Sequence, residues 1–397
     1  MTPLAVTSLT LTTCAGTGLR PHVDALLNLR SGLTRCDFET VQLDTWVGQI
    51  PEEQLAPVRG RLAAFDCRNN RLAQLGLTGD DFEQAVALAR ARYGARRIGV
   101  ILGTSTSGIL QTEIAYRFRN PATGALPGDF NYAGTQNTFS LGAFVQAQLE
   151  LDGPASVIST ACSSSAKALA AAARMIAAGL CDAAVVGGVD SLCLTTLYGF
   201  GSLELLSREP CRPFDVERNG ISIGEGAGFA LLEPVAANTP ESAIRVLGIG
   251  ESSDGYHMSS PHPDGAGARL AMERALSTAE LEPSDIDYIN LHGTATRSND
   301  SAEEKAVFSL FGPSTPCSST KGMTGHLLGA AGIAEAIICA LALRERFMPG
   351  SANTRALDPS LRLRYLQETV RQAPRHVVSN SFGFGGSNCS LVLGRAE

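Results

Sequence analysis

The stretch STACSSSAKALAAAAR, from Ser159 to Arg174, passes from a short β-rich run into a helix of small residues. The run ASVIST (Ala155–Thr160) predicts a buried strand, and SSSAKALAAAARMIAAGL (Ser163–Leu180) predicts a helix. Cys162 stands at the junction between them. A helix N-terminus presents unpaired N–H groups and a partial positive charge, so this position should lower the pKa of the thiol and favour the nucleophilic thiolate.

Similar alternation continues on both sides of this junction. Three more runs predict strands: RRIGVILGTS (Arg96–Ser105), DAAVVGG (Asp182–Gly188) and SAIRVLGIG (Ser242–Gly250). The run GARLAMERALSTAEL (Gly267–Leu281) predicts a helix. Short strands that alternate with helices predict an α/β fold with largely parallel sheets covered on both faces.

An internal repeat is visible when the chain is laid over itself. Placing Ser159 over Ser318 aligns STACSSSAKALAAAAR with SSTKGMTGHLLGAAGI, and the same shift aligns SIGEGAGFALL with SFGFGGSNCSL. Two matches at one offset predict an ancient duplication, because either match alone could arise by chance among small residues. The predicted halves are residues 1–238 and 239–397, joined within EPVAANTPES (Glu233–Ser242).

The bulk composition limits what kind of protein this can be. Its 397 residues are 44% hydrophobic and 18% charged, with a net charge of −7. An acidic chain is a poor partner for nucleic acid, and no apolar run is long enough to predict a membrane span. Met1–Cys14 lacks a basic leader, so a cytoplasmic protein is predicted. The ten cysteines are scattered without a CxxC pair, which predicts reduced and mostly buried thiols.

Four motifs carry side chains suited to catalysis. Besides Cys162, LHGTAT places His292 directly after the strand-like DYINL. STKGMTGHLLGAAG places Lys321 and His326 in a glycine-rich turn that enters a helix, and SNSFGFGGSNCS surrounds Phe384 with glycines that permit a strained turn. Each motif alone is more often structural: a buried cysteine, a core histidine, a solvated lysine or an ordinary turn.

Taken together, in this order and spacing, the four motifs resemble those of the elongating β-ketoacyl-[acyl-carrier-protein] synthases. The resemblance extends through CRPFDVERNGISIGEGAG (Cys211–Gly228) and SSDGYHMSSP (Ser252–Pro261). It implies a five-layered α/β/α/β/α thiolase-like fold of two duplicated halves. The implied activity is that of an acyltransferase, which condenses an acyl-enzyme thioester with malonyl-acyl-carrier-protein and releases carbon dioxide.

The resemblance also implies a role for each motif residue. Cys162 would accept the acyl group, and His292 and His326 would donate hydrogen bonds to the enolate oxygen. Lys321 would support the site together with Glu303 and Glu335. The remaining implied residues are the oxyanion-hole backbone N–H groups of Cys162 and Phe384, the gate formed by Phe384 and the loop Asp254–His257, and the phosphopantetheine-binding Thr294 and Thr296. The other histidines, His22, His262 and His376, are expected on the surface or in loops.

The acyl tunnel and the carrier-docking surface are less clearly indicated. By resemblance, Thr106 would limit entry of the acyl chain, and Tyr132, with the nearby Thr135, Gln136 and Asn137, would line its far end from across a dimer interface. This lining is polar, which favours an unsaturated, aryl or polyketide-like chain unless these groups bond one another. The segment FDCRNNRLA (Phe65–Ala73) resembles aryl-polyene pathway synthases. An acidic carrier protein needs a local basic patch, and the candidates are Arg68, Arg71, Arg117 and Arg119, with Arg59 and Arg61 beside them.

Several alternatives remain open at this point. The chain could act as a homodimer, or as the catalytic half of a heterodimer with a non-catalytic chain-length partner, pairing near Ala155–Thr160. A degradative thiolase would use a second cysteine in place of one of the two histidines, and a cysteine hydrolase would need an Asp or Asn to orient His292. No metal site is apparent and no tightly bound cofactor is expected, because phosphopantetheine would arrive on the carrier protein. One departure from the family pattern is Arg297, where a proline is usual.

Overall fold

The computed structural model describes residues 1–237 and 239–395. Its strands are β1 (Leu4–Thr13), β2 (Gly16–Thr17), β3 (Thr34–Arg35), β4 (Trp46–Gly48), β5 (Ile98–Gly103), β6 (Ala155–Ile158), β7 (Ala183–Asp190), β8 (Ile223–Gly224), β9 (Gly226–Pro234), β10 (Ile244–Ser253), β11 (Tyr288–Asn290), β12 (Pro316–Ser318), β13 (Arg364–Tyr365), β14 (His376–Gly383) and β15 (Ser387–Arg395).

Its α-helices are α1 (Leu19–Leu27), α2 (Arg68–Leu77), α3 (Phe82–Tyr93), α4 (Ile109–Arg117), α5 (Phe139–Leu149), α6 (Ser164–Ala177), α7 (Leu194–Ser202), α8 (Ala266–Ala279), α9 (Arg297–Phe311), α10 (Lys321–Thr324) and α11 (Ala331–Glu345). Short 3₁₀ turns lie between some of these elements, and two of them, Leu328–Ala330 and Phe384–Gly386, border the candidate site. No helix among the described residues combines the length and the apolar character needed to span a membrane.

The strand order repeats between the two parts of the chain. The main sheet runs β13-β12-β11-β14-β15-β10-β1-β9-β7-β5-β6. Within the first part, the strands appear in the chain as β1, β5, β6, β7 and β9 and lie in space as β1-β9-β7-β5-β6. In the second part, β10, β11, β12, β14 and β15 follow the same scheme, with β12 in the place of β6. Asn238, the end of the first predicted half, and residues 396–397 at the end of the second lie outside the described residues.

The sheet is mixed, so the prediction of largely parallel sheets was wrong. β5 is parallel to β6 and β7, and β11 is parallel to β12 and β14. However, β9 runs antiparallel to both β1 and β7, and β15 runs antiparallel to both β10 and β14. The last strand of each part therefore lies antiparallel between that part's first and fourth strands. The alternation of strands and helices along the sequence does not indicate where this last strand inserts.

Helices α6 and α11 lie in the middle layer. They pack against each other and against strands on either side: α6 contacts β5 and β7, and α11 contacts β14, β15 and β9. The opposite faces of the strands are covered by α2 and α5 on one outer side and by α8 on the other. Helix α11 is buried on every side from Ala331 to Leu343 because strands of both parts surround it. This explains its nearly uninterrupted apolar sequence and makes it a rigid support for the turn that precedes it.

The state of the ten cysteines and the burial of His22 can be compared with what the sequence predicts for them. All ten cysteines are free, and eight of them are buried. His22 was expected on the surface and that was wrong, because it is 1% exposed within α1. Its ring nitrogens contact Thr13 Oγ1 at 2.9 Å and the Gly18 carbonyl at 2.7 Å, so both are satisfied inside the fold. Its burial lowers the pKa of the imidazole.

Candidate active site

Cys162 lies on a sharp turn between β6 and α6. The preceding residue, Ala161, has φ of 51°, a left-handed conformation that costs a non-glycine residue on the order of 1 kcal/mol. The turn is held by Ser164, whose hydroxyl donates to the Ala161 carbonyl at 2.6 Å and accepts from the Thr160 N–H at 2.9 Å. The run of serines after Cys162 thus fixes the conformation that projects the thiol.

Two histidines approach this thiol from the second part of the chain. One ligand-type atom each of Cys162, His292 and His326 lies within 4.8 Å of the others, and all three residues are buried. The imidazole rings meet edge to face, with centroids 5.2 Å apart and planes at 85°. His292 follows β11, and the backbone of His326 is bonded on both sides, to the Ser222 carbonyl at 2.7 Å and the Gly224 N–H at 2.9 Å.

The hydrogen-bond partners of both histidines define their tautomers. His292 Nδ1 faces the Lys321 ammonium at 3.2 Å, and His326 Nδ1 faces the Leu328 backbone N–H at 3.0 Å. Both partners can only donate, so each Nδ1 must accept and each proton must reside on Nε2. The arrangement thereby provides two imidazole N–H donors in the neighbourhood of the thiol.

Lys321 is buried beneath the histidines. It is 1% exposed, its ammonium donates to the His292 carbonyl at 2.5 Å, and it pairs with the buried Glu335 carboxylate. Burial raises the pKa of Glu335 to about 7, against the lowering effect of Lys321. Lys321 therefore contacts both His292 and Glu335, and its supporting role stays a prediction.

Glu303 holds the turn that carries His292. Its carboxylate accepts the backbone N–H groups of His292 and Gly293, each at 2.7 Å. Burial raises the pKa of Glu303 to about 7, while these two N–H groups act to lower it. The predicted supporting residues Glu303 and Glu335 thus act through different neighbours, the first on the backbone and the second on Lys321.

The electrostatics of the site favour neutral imidazoles. Burial first, and then the positive charge of Lys321, lowers the pKa of both His292 and His326 well below the usual value. Both rings therefore stay uncharged near neutral pH and can act as neutral N–H donors to a developing oxyanion.

The thiol itself does not follow the expectation from the helix N-terminus. Burial raises the pKa of Cys162 to about 11, and this outweighs the lowering effects of Lys321 and of the backbone N–H groups of Phe384 and Cys162. The predicted lowering of the thiol pKa was wrong, because the local rule ignores the dry environment supplied by residues far away in the sequence. The resting thiol is protonated and must lose its proton when it attacks.

This gives an expected pH dependence for alkylation of Cys162. At pH values below the pKa, the thiolate fraction of Cys162 increases as the pH increases. The rate of iodoacetamide modification should therefore rise about tenfold per pH unit from pH 7 to pH 10. Intact-mass spectrometry over time, with Cys162→Ala to correct for other thiols, measures this rate. A rate that levels off below pH 8 would contradict the raised pKa.

A cavity opens from the thiol to the surface. Its lining includes Cys162, His292, His326, Thr294, Thr296, Phe200, Leu205, Ile221, Phe382 and Phe384. The Phe384 ring contacts the Phe200 ring with centroids 5.6 Å apart. The backbone N–H groups of Phe384 and Cys162 both lie against the thiol, where an oxyanion at a thioester carbon would form.

The loop beginning at Asp254 is tied to the glycine-rich turn around Phe384. Asp254 accepts from Asn388 Nδ2 at 2.8 Å, and its N–H donates to the Gly386 carbonyl at 2.9 Å. Gly385 N–H donates to the Met258 carbonyl at 2.8 Å. Phe384 therefore stands between the cavity and a second loop, consistent with the expected gate.

Thr294 and Thr296 line the cavity at the start of α9. Their hydroxyl groups bond each other at 2.9 Å, and Thr296 caps α9 by accepting the Asn299 N–H at 3.4 Å. Both are therefore in place to contact a polar substrate arm. The neighbouring Arg297 is exposed at the first residue of α9.

The same Cys-His-His group is also of metal-ligand type, and its atoms are close enough together for one ion. The Lys321 ammonium lies 3.2 Å from His292 Nδ1, and this positive charge disfavours a second cation in the same buried space.

Two residues predicted for the acyl tunnel do not line this cavity. Thr106 is 1% exposed and its hydroxyl donates to Asp190 at 2.8 Å, whereas Tyr132 is 56% exposed on a loop. The polar groups expected to face the chain have hydrogen-bond partners elsewhere in the protein: the Thr135 hydroxyl donates to the Asn131 carbonyl, Gln136 accepts from the Thr112 hydroxyl, and Asn137 accepts the Phe139 N–H. The polarity of this region is therefore no argument for an unusual acyl chain.

The predicted docking arginines differ in availability. Arg68 is 7% exposed and its guanidinium donates to the fully buried Glu225 at 2.6 and 2.9 Å, so its assignment to carrier docking was wrong. Arg71 is about a quarter exposed and binds Asp66 through two bonds of 2.7 Å. Arg117 pairs with Glu39 at 3.0 Å. Arg119 is exposed, and within the described residues it has no ion-pair partner.

Removing the Arg68 side chain should destabilise the fold. Arg68→Ala leaves Glu225 buried without its cation, which is expected to cost about 3–5 kcal/mol of unfolding free energy. Urea unfolding measures this. The matched control is Arg71→Ala, whose partly exposed pair with Asp66 should contribute no more than about 1 kcal/mol. Equal losses for both variants would contradict the structural role of Arg68.

Three residues of the site were missed in the sequence. Phe200 and Phe382 line the cavity beside the motif residues. Asp190 bonds the turn after His326 through the Gly329 N–H. The signal for Phe200 was present, because the GFG of Gly199–Gly201 repeats the GFG at Gly383–Gly385. Asp190 lies at the end of a buried strand with no distinguishing motif.

Family models match almost the whole chain. The model described as "Beta-ketoacyl synthase, N-terminal domain" matches residues 1–238, and "Beta-ketoacyl synthase, C-terminal domain" matches residues 244–355. A relative from Rhizobium meliloti (strain 1021), 3-oxoacyl-[acyl-carrier-protein] synthase 2, is 37% identical over 75% of this chain and 74% of its own length. Nodulation protein E of Rhizobium leguminosarum bv. trifolii is 34% identical over 87% of this chain and 84% of its own.

Solved structures of ketosynthases are similar to this chain over its full length. The ketosynthase ApeO, in complex with its chain length factor ApeC from Xenorhabdus doucetiae, superposes with a TM-score of 0.91 at 37% identity, covering 100% of this chain and 98% of that one. The ishigamide ketosynthase/chain length factor superposes with a TM-score of 0.88 at 27% identity, covering both chains fully.

Proposed function

The chain belongs to the β-ketoacyl synthase family, and from this premise we propose how its cavity performs the reaction. It is an acyltransferase of the condensing type, which elongates a chain by Claisen condensation. The predicted thiolase-like α/β fold is confirmed by the same matches. The assignment of residues below is our proposal, and it rests on the approach of Cys162, His292 and His326 to within 4.8 Å of one another.

The first half-reaction loads Cys162. Its sulfur attacks the carbonyl carbon of an acyl thioester on the carrier, the C–S bond to the carrier breaks, and the carrier sulfur leaves with the proton that the Cys162 thiol gives up. The backbone N–H groups of Cys162 and Phe384 stabilise the oxyanion of the tetrahedral intermediate. A proton acceptor is required here because burial keeps the resting thiol protonated.

The second half-reaction makes and uses the carbanion. The malonyl C–C bond breaks, carbon dioxide leaves, and the electron pair becomes an enolate whose oxygen accepts from Nε2–H of His292 and His326. The enolate carbon then attacks the acyl carbon on Cys162, a new C–C bond forms, and the thiolate leaves and is reprotonated. Lys321 keeps His292 Nδ1 as an acceptor and so keeps its donor proton on the substrate side.

Two alternative activities fit the geometry less well. A degradative thiolase needs a second thiol beside the nucleophile, but Cys162 is the one cysteine in the cavity lining that the structure describes, and His326 occupies the neighbouring place. A cysteine hydrolase needs an acceptor behind its histidine, and the group behind His292 is the Lys321 ammonium, which is a donor.

Carrier-bound phosphopantetheine is the proposed form of substrate delivery. The hydroxyl groups of Thr294 and Thr296 lie on the cavity wall between the surface and the histidines, where amide groups of such an arm could bond them. Arg119 is the best placed of the predicted docking residues because its charge is not paired within the described residues. One solved neighbour contains a type II polyketide carrier protein bound to its ketosynthase.

A second subunit is proposed at the free edge of the sheet. β6 ends the strand order and is half-buried along its length, so its outer edge is open to pairing with another chain. The solved neighbours ApeO and the ishigamide ketosynthase are each described with a chain length factor. We infer a dimer across β6, with a chain-length partner as the preferred second subunit and a second copy of this chain as the alternative.

The proposed pathway rests on similarity to other proteins and not on the polarity of the acyl-tunnel lining. The segment Phe65–Ala73 resembles aryl-polyene pathway synthases, and the similar structures include ketosynthases with a chain length factor and one of a type II polyketide system. From this we infer a polyketide-like or aryl-polyene pathway, with unsaturated acyl chains as substrates. The test is a competition between polyenoyl and saturated acyl-carrier proteins of equal length, read as acyl adducts on Cys162 by intact mass. Preferential loading of the polyenoyl chain supports the proposal, and preferential loading of the saturated chain overturns it. Size-exclusion chromatography of the chain alone separates monomer from homodimer in the same preparation.

A further inference from the structure

Asp190 is a buried carboxylate that bonds two segments at once. It ends β7 and is 0% exposed. Its Oδ1 accepts from the Thr104 hydroxyl at 2.7 Å, and from the Ser105 N–H, the Thr106 N–H and the Thr106 hydroxyl at 2.8 Å each. Its Oδ2 accepts from the Gly329 N–H in the second part of the chain. Within the described residues, no ion pair balances its charge, so backbone and hydroxyl donors alone solvate it.

The contact with Gly329 lies next to the bond that fixes His326. Leu328 has φ of 52°, and its N–H donates to His326 Nδ1 at 3.0 Å. The following N–H, of Gly329, points to Asp190. A Cβ atom on Gly329 would lie 2.7 Å from Asp190 Oδ2 and 2.8 Å from Ser105 Oγ, so the turn is packed directly against the carboxylate. Successive N–H groups of one strained turn are thus bound to the catalytic imidazole and to Asp190.

We propose that Asp190 is a positioning residue for His326. By holding the Gly329 N–H, it keeps the Leu328–Gly329 turn in its left-handed conformation, and the Leu328 N–H then keeps His326 in the tautomer whose Nε2–H faces the enolate oxygen. This inference rests on the function proposed above. It also connects the Thr104–Thr106 segment to the turn that follows His326, because the Asp190 carboxylate accepts hydrogen bonds from both segments.

The number of donors explains why a carboxylate is needed. Five N–H or O–H groups converge on two oxygens, and an ionised carboxylate is an acceptor at every lone pair. An asparagine offers one oxygen, and its NH2 group would face at least one of these donors without being able to accept from it. Of these donors, Gly329 leads directly to the turn that holds His326. Ser105 leads to the turn before Cys162 only through its own hydroxyl, which donates to the Ala161 carbonyl at 3.4 Å.

The experiment separates the half-reactions in Asp190→Asn. Decarboxylation of malonyl-carrier should fall about 10²-fold in kcat, as for the loss of one oxyanion donor, with KM changed by less than about threefold. Loading of Cys162 by acyl-carrier should change by less than about threefold, because its oxyanion hole is made by backbone N–H groups of Cys162 and Phe384. An equal loss in both half-reactions would overturn the proposal.

A matched control distinguishes positioning from general damage to the fold. Asp215 is also buried, at 1% exposure, and accepts three backbone N–H groups, of Arg355, Ala356 and Glu217, without contacting the cavity. Asp215→Asn should lower the unfolding free energy without altering the ratio of decarboxylation to loading. If it alters that ratio as Asp190→Asn does, the role of Asp190 is only structural.

A double-mutant cycle tests whether Asp190 acts through His326. In a His326→Ala background, Asp190→Asn should change the decarboxylation rate by less than about twofold, whereas fully additive losses would refute the link. Nitrogen-15 NMR of labelled histidine should show His326 protonated at Nε2 in the parent protein and a mixture of tautomers in Asp190→Asn. Should Asp190→Asn fail to fold, Gly329→Ala disturbs the same contact from the other side and should give the same split. A parent protein that does not decarboxylate malonyl-carrier refutes the proposed function instead.

Discussion

Replacing Cys162 with alanine is expected to abolish condensation, by about 10⁴-fold or more, while decarboxylation of malonyl-carrier continues. The two activities separate because the acyl group is held by the thiol, whereas the enolate is stabilised by His292 and His326, which are oriented through Nδ1 by Lys321 and by the Leu328 N–H. Mass spectrometry of the carrier protein detects both products: β-ketoacyl-carrier from condensation and acetyl-carrier from decarboxylation alone.

The control for this variant is Cys36→Ala. Cys36 is a partly exposed free cysteine that does not line the cavity, so both activities should stay within about twofold of the parent. Condensation in Cys162→Ala above about 1% of the parent rate would mean that another group accepts the acyl chain, and the assignment of the nucleophile would have to be abandoned.

Replacing Lys321 with alanine is expected to damage both the fold and the chemistry. It removes the cation bound to Glu335, which leaves a buried carboxylate alone and should cost about 3–5 kcal/mol of unfolding free energy. It also removes the donor at His292 Nδ1, so the imidazole is free to change tautomer and the decarboxylation rate should fall about 10²–10³-fold. Urea unfolding and malonyl-carrier decarboxylation measure the two effects separately.

The two effects of Lys321→Ala should respond differently to pH and to a second substitution. Burial already raises the folded-state pKa of Glu335 to about 7, above its unfolded value, so the folded state takes up the proton more readily and the variant should gain stability as the pH falls from 8 to 6. Adding Glu335→Gln should restore much of the stability at pH 8 but none of the lost activity. Recovery of activity in the double variant would show that Lys321 has no role beyond balancing Glu335.

The proposed catalytic residues could be selected from the sequence because short motifs contain them and each motif lies at the end of a strand. Cys162 follows β6, His292 follows β11, and Phe384 follows β14. Side chains at such positions can meet at one edge of the sheet, and the prediction that these do so rested on the resemblance of the four motifs to the elongating β-ketoacyl synthases.

The misassigned residues depend on partners that are distant in the sequence. Arg68 looked like part of a surface patch, but its partner Glu225 lies 157 positions away. The pKa of Cys162 depends on burial by residues from the second part of the chain, whereas the helix that follows it is local. The antiparallel insertion of β9 and β15 is likewise a matter of tertiary pairing. Local patterns carry no information on any of these contacts.

The repeated strand order bears on which part of the chain supplies each residue of the proposed site. The shift that places Ser159 over Ser318 also places Cys162 over Lys321, so equivalent turns of the two copies hold the nucleophile and the buried cation. The first part of the chain thus supplies Cys162 and the second part supplies Lys321 and both histidines, so neither part alone contains the proposed site and it forms only where the two parts meet.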